Sequence, residues 1–232
     1  MIWKDAVNGL AHLFYPSLCP GCGTDQIQAG ELLCFLCHEE LPFTDFTPMS
    51  GNPIEQLFRG RIGLVAATSL LYFSKQSVIR NLLHQFKYEG NKKIGLYFGH
   101  RIGEAIMGSG RFQPPDLLVP LPLHARREKK RGYNQAMILC QGISAVMKTE
   151  IAEELVIRKK ETQTQTFRNR IERWENISSG FELRNTDSAE DKHLLLVDDV
   201  VTTGATLEAC GAELLKTKGA RLSIATLAFT TL

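Results

Sequence analysis

The chain has 232 residues, 44% hydrophobic and 22% charged, with a formal net charge of +2. That composition excludes fibrous, collagen-like and wholly disordered chains, and the length allows one large domain or a medium domain with a small appendage. No apolar run approaches the roughly 20 residues a membrane-spanning helix needs: the longest, Gly63 to Phe73, has 11 and includes Thr68 and Ser69. The start shows no small-residue cleavage site, so the expectation is a cytoplasmic protein with no membrane span.

Along the chain, Ile2, Trp3, Val7, Leu10, Leu13 and Phe14 recur at helical spacing and predict a short amphipathic helix. Its polar face is nearly uncharged, which favours packing on the body over lying on a membrane. Cys19-Pro-Gly-Cys22 and Cys34-Phe-Leu-Cys37 follow, two C-x-x-C pairs separated by 11 residues. Four thiolates so spaced surround one tetrahedral zinc, with Gly21 and Gly23 suited to the tight turn beneath it. Two disulfides are disfavoured in a reducing cytosol, a redox C-x-x-C needs no duplicate, and His38 is an alternative to Cys37 as ligand. Thr44 to Pro53 is turn-rich and reads as a linker, dividing the chain into a zinc-binding unit (1–53) and a larger unit (54–232).

Beyond it the pattern predicts strands over 64–73, 117–121, 155–157, 194–197 and 222–229, and helices over 78–86, 94–107, 134–147 and 206–218. Lys87 falls just after the first of these helices. Residues 159–180 are polar and read as an exposed loop or arm. Alternating strands and helices predict an α/β fold with a mostly parallel sheet flanked by helices. The lone Cys140 and Cys210 lie among Ala, Leu and Ile and read as buried core thiols.

The segment carrying the chemistry is Leu194-Leu-Leu-Val-Asp198-Asp199-Val-Val-Thr202-Thr203-Gly204-Ala205-Thr206. A buried strand delivers two carboxylates to the carboxyl edge of the sheet, where open α/β folds bind ligands. A Thr-Thr-Gly turn then opens a helix, whose free amides and hydroxyls form an anion cradle. Carboxylates beside a phosphate cradle suit a ligand with a phosphate on one side and diol hydroxyls or a metal on the other, as in a sugar phosphate.

Asp198 to Thr206 resembles the signature of the type I phosphoribosyltransferases. By that resemblance Asp198 and Asp199 would bind the ribose hydroxyls of phosphoribosyl pyrophosphate (PRPP), Thr202 to Thr206 its 5′-phosphate, and Mg²⁺ would bridge ribose and pyrophosphate. The two C-x-x-C pairs, Phe86-Lys-Tyr-Glu-Gly90, Val119-Pro-Leu-Pro-Leu-His124, Arg131-Gly-Tyr-Asn-Gln135 and the spaced Thr162, Gln165, Arg173, Asn176 and Phe181 narrow the resemblance to the ComF family of competence-associated proteins. Gln163 departs from the proline frequent in relatives. The implied chemistry is displacement of pyrophosphate from the anomeric carbon by a nitrogen nucleophile, with lysine, arginine and Mg²⁺ neutralising the departing charge.

Three basic islands lie at 126–131, 158–160 and 168–173. Lys87, Arg158, Lys160 and Arg173 are the candidates for pyrophosphate contact, the arm serving as a lid. Arg126, Arg127, Lys129, Lys130 and Arg131 are candidates for single-stranded DNA, with Tyr133 and Trp174 as nearby stacking platforms. Two functions follow: a PRPP-dependent transferase with catalytic Asp198, Asp199 and Lys87, or a coupling factor in DNA uptake that binds PRPP, DNA or a competence protein. The acceptor would be read by a hood within residues 1–75, where no base reader is recognisable.

Overall fold

The structure is a computed structural model and describes residues 18–28, 30–74, 77–158 and 180–230. The expected helix over 2–14 and most of the polar arm, including Lys159, Lys160, Arg168, Arg170, Arg173 and Trp174, lie outside the described residues. In chain order the elements are α1 (Phe35–Glu39), α2 (Pro53–Phe58), β1 (Ala66–Tyr72), α3 (Val78–Tyr88), α4 (Lys92–Gly108) and β2 (Leu117–Pro120). Then come α5 (Ala125–Arg131), α6 (Gln135–Met147), β3 (Glu150–Ile151), β4 (Val156–Arg158), β5 (Phe181–Leu183), β6 (His193–Val201), α7 (Ala205–Leu214) and β7 (Arg221–Phe229).

Five strands form one parallel sheet in the order β1-β7-β6-β2-β3. The sheet is buried on both faces, which is why Leu194 to Val197 form a continuous apolar run. Leu195 and Val197 enter a core shared with α3, α4 and α6, while Leu194 and Leu196 enter a second core with α2 and α7. Helices α4 and α6 pack backbone to backbone: a Cβ on Gly142 would lie 2.4 Å from the Leu96 carbonyl oxygen. The α/β class and its mostly parallel sheet are as the alternation predicts.

Several local expectations change. The strand expected near 155–157 leaves the main sheet and pairs antiparallel with β5. The last helix ends at Leu214 rather than 218, because the chain turns and the Lys218 carbonyl is taken by the Asp191 amide (2.9 Å). Lys87 lies inside the last turn of α3, not in a following loop, since the Glu89 amide still bonds the Gln85 carbonyl (3.0 Å). The stretch Thr44 to Pro53 is fastened rather than free: fully buried Asn52 donates Nδ2 to Ala67 O (2.8 Å) and Met49 O (3.0 Å). Its Oδ1 accepts from the amides of Ile54 and Glu55 and so caps α2.

Candidate functional site at the carboxyl edge of the sheet

After β2 the chain moves outward to β3, and after β6 it moves the other way to β7. The crevice between β2 and β6 is therefore the topological switch point, where an open α/β sheet leaves room for a ligand beyond its carboxyl ends. Pro120 pairs with Val197 across it, and the Leu121 amide still reaches the Val197 carbonyl (2.9 Å). One residue beyond Val197 come the two carboxylates.

Adjacent residues of a strand face opposite sides. Asp199 turns towards α3, where Lys87 Nζ lies 2.9 Å and Arg131 Nη1 3.8 Å from its Oδ2. Asp198 turns towards α7, within electrostatic reach of the buried Cys210 thiol. Asp198 accepts a hydrogen bond from the Asp199 amide (2.7 Å), yet burial, reinforced by the neighbouring Asp199 charge, pushes its carboxyl up to about 8. Of the pair, then, Asp199 faces two cations, while Asp198 favours its protonated form at neutral pH.

The Arg131-to-Gln135 run builds this arrangement. Gly132 ends α5 and leaves Arg131, only 14% exposed, pointing at Asp199 and donating to Gln135 Oε1 (2.7 Å). The Tyr133 hydroxyl donates to the Phe86 carbonyl, one residue before Lys87. Asn134 donates Nδ2 to Leu121 O (3.0 Å) while its Oδ1 caps α6. One short segment thus ties the helix of Lys87, the loop after β2 and the acidic strand together. Gln135 is almost fully buried, and its side-chain amide interacts with the Tyr133 hydroxyl.

Beyond Val201, Thr202 and Thr203 are exposed and Gly204 adopts a left-handed conformation (φ +73°) before α7 begins at Ala205, with Thr206 in its first turn. A Cβ on Gly204 would also lie 2.8 Å from the Phe58 ring, so glycine is required on both counts. Arg61, paired with Glu208, bonds the Thr203 carbonyl. Phe58, Arg61 and Glu208 carry no motif and escaped the sequence reading.

The structure divides the expected DNA-binding cations. Arg126, Arg127, Lys129 and Lys130 are exposed on α5, whereas Arg131 belongs to the Asp199 cluster. Tyr133 is no stacking platform: it is buried, with its hydroxyl used at Phe86. The exposed aromatic is Tyr88, which Lys130 and Arg131 approach at 5.8 and 5.7 Å from the ring centre. Arg158 lies over the Phe181 ring at 5.3 Å.

At the other end of α3, the sulfurs of Cys19, Cys22, Cys34 and Cys37 all lie within 4.8 Å of one another, and Cys22 and Cys34 are 3.6 Å apart. A tetrahedron of Zn–S bonds near 2.3 Å has edges of about 3.8 Å, so the cluster is compatible with a zinc site. His38 stands outside it, beside Glu39. A Cβ on Gly21 would meet Cys37 Sγ at 2.7 Å and Val78 Cγ1 at 3.0 Å, which shows how tightly the knuckle sits on α3. Cys140 and Cys210 are fully buried, and burial pushes both thiols up, as core cysteines.

A family profile described as "Phosphoribosyl transferase domain" matches residues 126–230, which span α5, the acidic strand and the glycine turn. The chain is 28% identical over 204 residues to "Competence protein F" of Haemophilus influenzae, covering 86% of this chain and 85% of that one. It is 27% identical over 216 residues to "Competence protein ComFC" of Bacillus subtilis (87% and 85%). These matches are consistent with a ComF-family, phosphoribosyltransferase-like protein. The chain is also 32% identical over 146 residues to "DNA utilization protein YhgH" of Escherichia coli K12, covering 62% of this chain and 63% of that relative's length. No helix among the described residues is long and apolar enough to cross a membrane.

Proposed function

We propose that this protein is a ComF-family member that binds PRPP at the carboxyl edge of its sheet and transfers the phosphoribosyl group to a nitrogen nucleophile with release of pyrophosphate. The observation that carries this reading is the convergence of Lys87 and Arg131, from two separate helices, on Asp199 at the switch point. Asp199 accepts ribose hydroxyls, and the amides and hydroxyls of Thr202 to Thr206 take the 5′-phosphate. Lys87 and Arg131 hold the pyrophosphate, and their charge opposes the negative charge that builds on it as the C1–O bond breaks and the C1–N bond forms.

The two carboxylates are an oxygen donor set of the kind Mg²⁺ takes. A divalent cation bound with PRPP would favour the ionised form of Asp198 against the burial and neighbouring charge that raise it, and would supply charge neutralisation at the pyrophosphate. The four cysteines hold one structural zinc, with residues 1–53 as the unit it staples. Metal analysis of protein purified without chelator is expected to give about one zinc per chain.

The test is calorimetry of PRPP with and without Mg²⁺, followed by pyrophosphate release in the presence of free bases and amines. Saturable binding with release supports the transferase; binding without release for every acceptor supports a binding role alone, and no binding ends this reading. A second reading has its own observation. Arg126, Arg127, Lys129 and Lys130 lie exposed on α5, Lys130 over the Tyr88 ring, and relatives bear competence and DNA utilization names. Single-stranded DNA would track these cations, and neutralising the four should reduce the salt dependence of DNA affinity.

A further inference from the structure

The turn from Thr202 to Gly204 owes its shape to a side chain outside every motif. Arg61, in the loop between α2 and β1, donates Nη1 to the carbonyls of Thr203 (2.9 Å) and Leu57 (3.0 Å). Its Nε donates to Glu208 Oε2 (2.9 Å), and Nη2 makes a second contact with the same oxygen. Leu57 lies in the last turn of α2 and Glu208 in the first turn of α7, so one guanidinium joins two helix ends and the turn between β6 and α7. Its planar fork of directed donors suits this task as an ammonium does not.

A trans peptide sets its carbonyl and amide on opposite sides of the chain, and the described chain has no cis bonds. With the Thr203 carbonyl held at Arg61, the Gly204 amide points to the other side. Glycine would otherwise let this peptide rotate easily, and the rotated form would turn a carbonyl oxygen towards an incoming anion. Arg61 also neutralises Glu208, a carboxylate whose charge in the first turn of α7 would oppose a phosphate there.

We propose that Arg61 is the positioning residue of the phosphate turn, locking the Thr203–Gly204 peptide so that the Gly204 amide faces the phosphate of a phosphoribosyl ligand. This rests on the phosphoribosyl reading above. The experiment titrates ribose 5-phosphate into the full chain and its Arg61→Ala and Arg61→Lys variants by calorimetry, with melting curves and the Gly204 amide NMR signal followed in each. Wild-type protein should bind and shift the Gly204 amide. Arg61→Ala should bind about tenfold more weakly, the worth of one hydrogen bond to a charged group, and its Gly204 signal should no longer follow the titration. Arg61→Lys should recover only part, because one ammonium cannot serve both the carbonyl and the carboxylate. Wild-type affinity in either folded variant overturns the positioning role and leaves the phosphoribosyl reading standing; no binding by the wild type overturns both. If Arg61→Ala does not fold, Arg61→Lys decides.

Discussion

The two ends of β6 treat their titratable side chains in opposite ways. At its amino end His193 is buried and fully engaged. The Pro114 carbonyl can only accept, so Nδ1 carries the proton facing it (3.3 Å), and Nε2 accepts from the Ser223 hydroxyl (2.9 Å). The His193 amide donates to Asp116 Oδ2 (2.7 Å). At the carboxyl end Asp198 is kept protonated by burial and by its neighbour, and Thr226, its register partner on β7, has a buried hydroxyl without a partner among the described residues. Ser223 and Thr226 sit three residues apart on the same strand, one satisfied by the protein and the other not. Buried polar groups left unsatisfied are costly and are found where something else completes them. Along β6 the comparison separates an amino end whose His193 is satisfied by the protein from a carboxyl end that, on the proposed reading, a ligand completes.

The largest effect that would break this contrast lies at the carboxyl end. Asp199→Ala removes a charged acceptor and leaves Lys87 and Arg131 side by side, so PRPP affinity should fall about 100-fold by calorimetry. Stability in urea should change far less than affinity. His193→Ala should do the reverse: about 2–3 kcal/mol of stability lost, because Ser223 is orphaned and a cavity opens, with PRPP affinity unchanged. If the two variants were alike in both measurements, the division of β6 into a structural end and a ligand end would fail.

Much of this was legible in the sequence, for identifiable reasons. The four-residue apolar run before Asp198 betrays a strand buried on both faces, and Thr-Thr-Gly announces a turn that only glycine tolerates. The paired C-x-x-C spacing likewise places four sulfurs in one cluster. What stayed hidden depends on contacts between residues far apart in the chain. Arg61 and Glu208 are separated by 147 positions, and neither is distinguishable from a surface charge until the fold brings them together. Arg131 looked like a member of the basic island because the island's five cations sit in one short run; only the end of α5 at Gly132 turns it inward. The expected linker was misjudged because its turn residues were read without their partners: Asn52 caps a helix and crosslinks β1 at once.

The contrast also has a pH signature. In the unfolded chain Asp198 ionises above about pH 4, whereas the folded site holds its proton to about pH 8. The folded form therefore loses stability as pH rises through that interval. Burial lowers His193, which stays neutral in the fold while the unfolded chain protonates near pH 6.5, so this end costs stability as pH falls below that value. Asp198→Asn cannot titrate. Urea unfolding between pH 6.5 and 8 should show a declining wild type and a flatter variant, with the variant more stable by roughly 2 kcal/mol at pH 8. A variant that is equally pH-dependent would mean that another group carries the slope.

The smallest expected effect tests whether the scaffold at the ligand end is itself finished. The Tyr133 hydroxyl takes the Phe86 carbonyl at the end of α3, one of the carbonyls a helix leaves without an internal partner. Tyr133→Phe keeps the ring, its packing against Phe86 and its contact with Lys92, and removes that bond together with the hydroxyl's interaction with Gln135. Stability should fall by about 1 kcal/mol, and PRPP affinity by no more than about threefold, because α3 remains packed through Ile79, Leu82, Leu83 and Phe86 and keeps Lys87 near Asp199. An affinity loss approaching that of Asp199→Ala would show that Lys87 is aimed by this single hydrogen bond rather than by the helix. The ligand end would then be unfinished in its framework as well as in its charges.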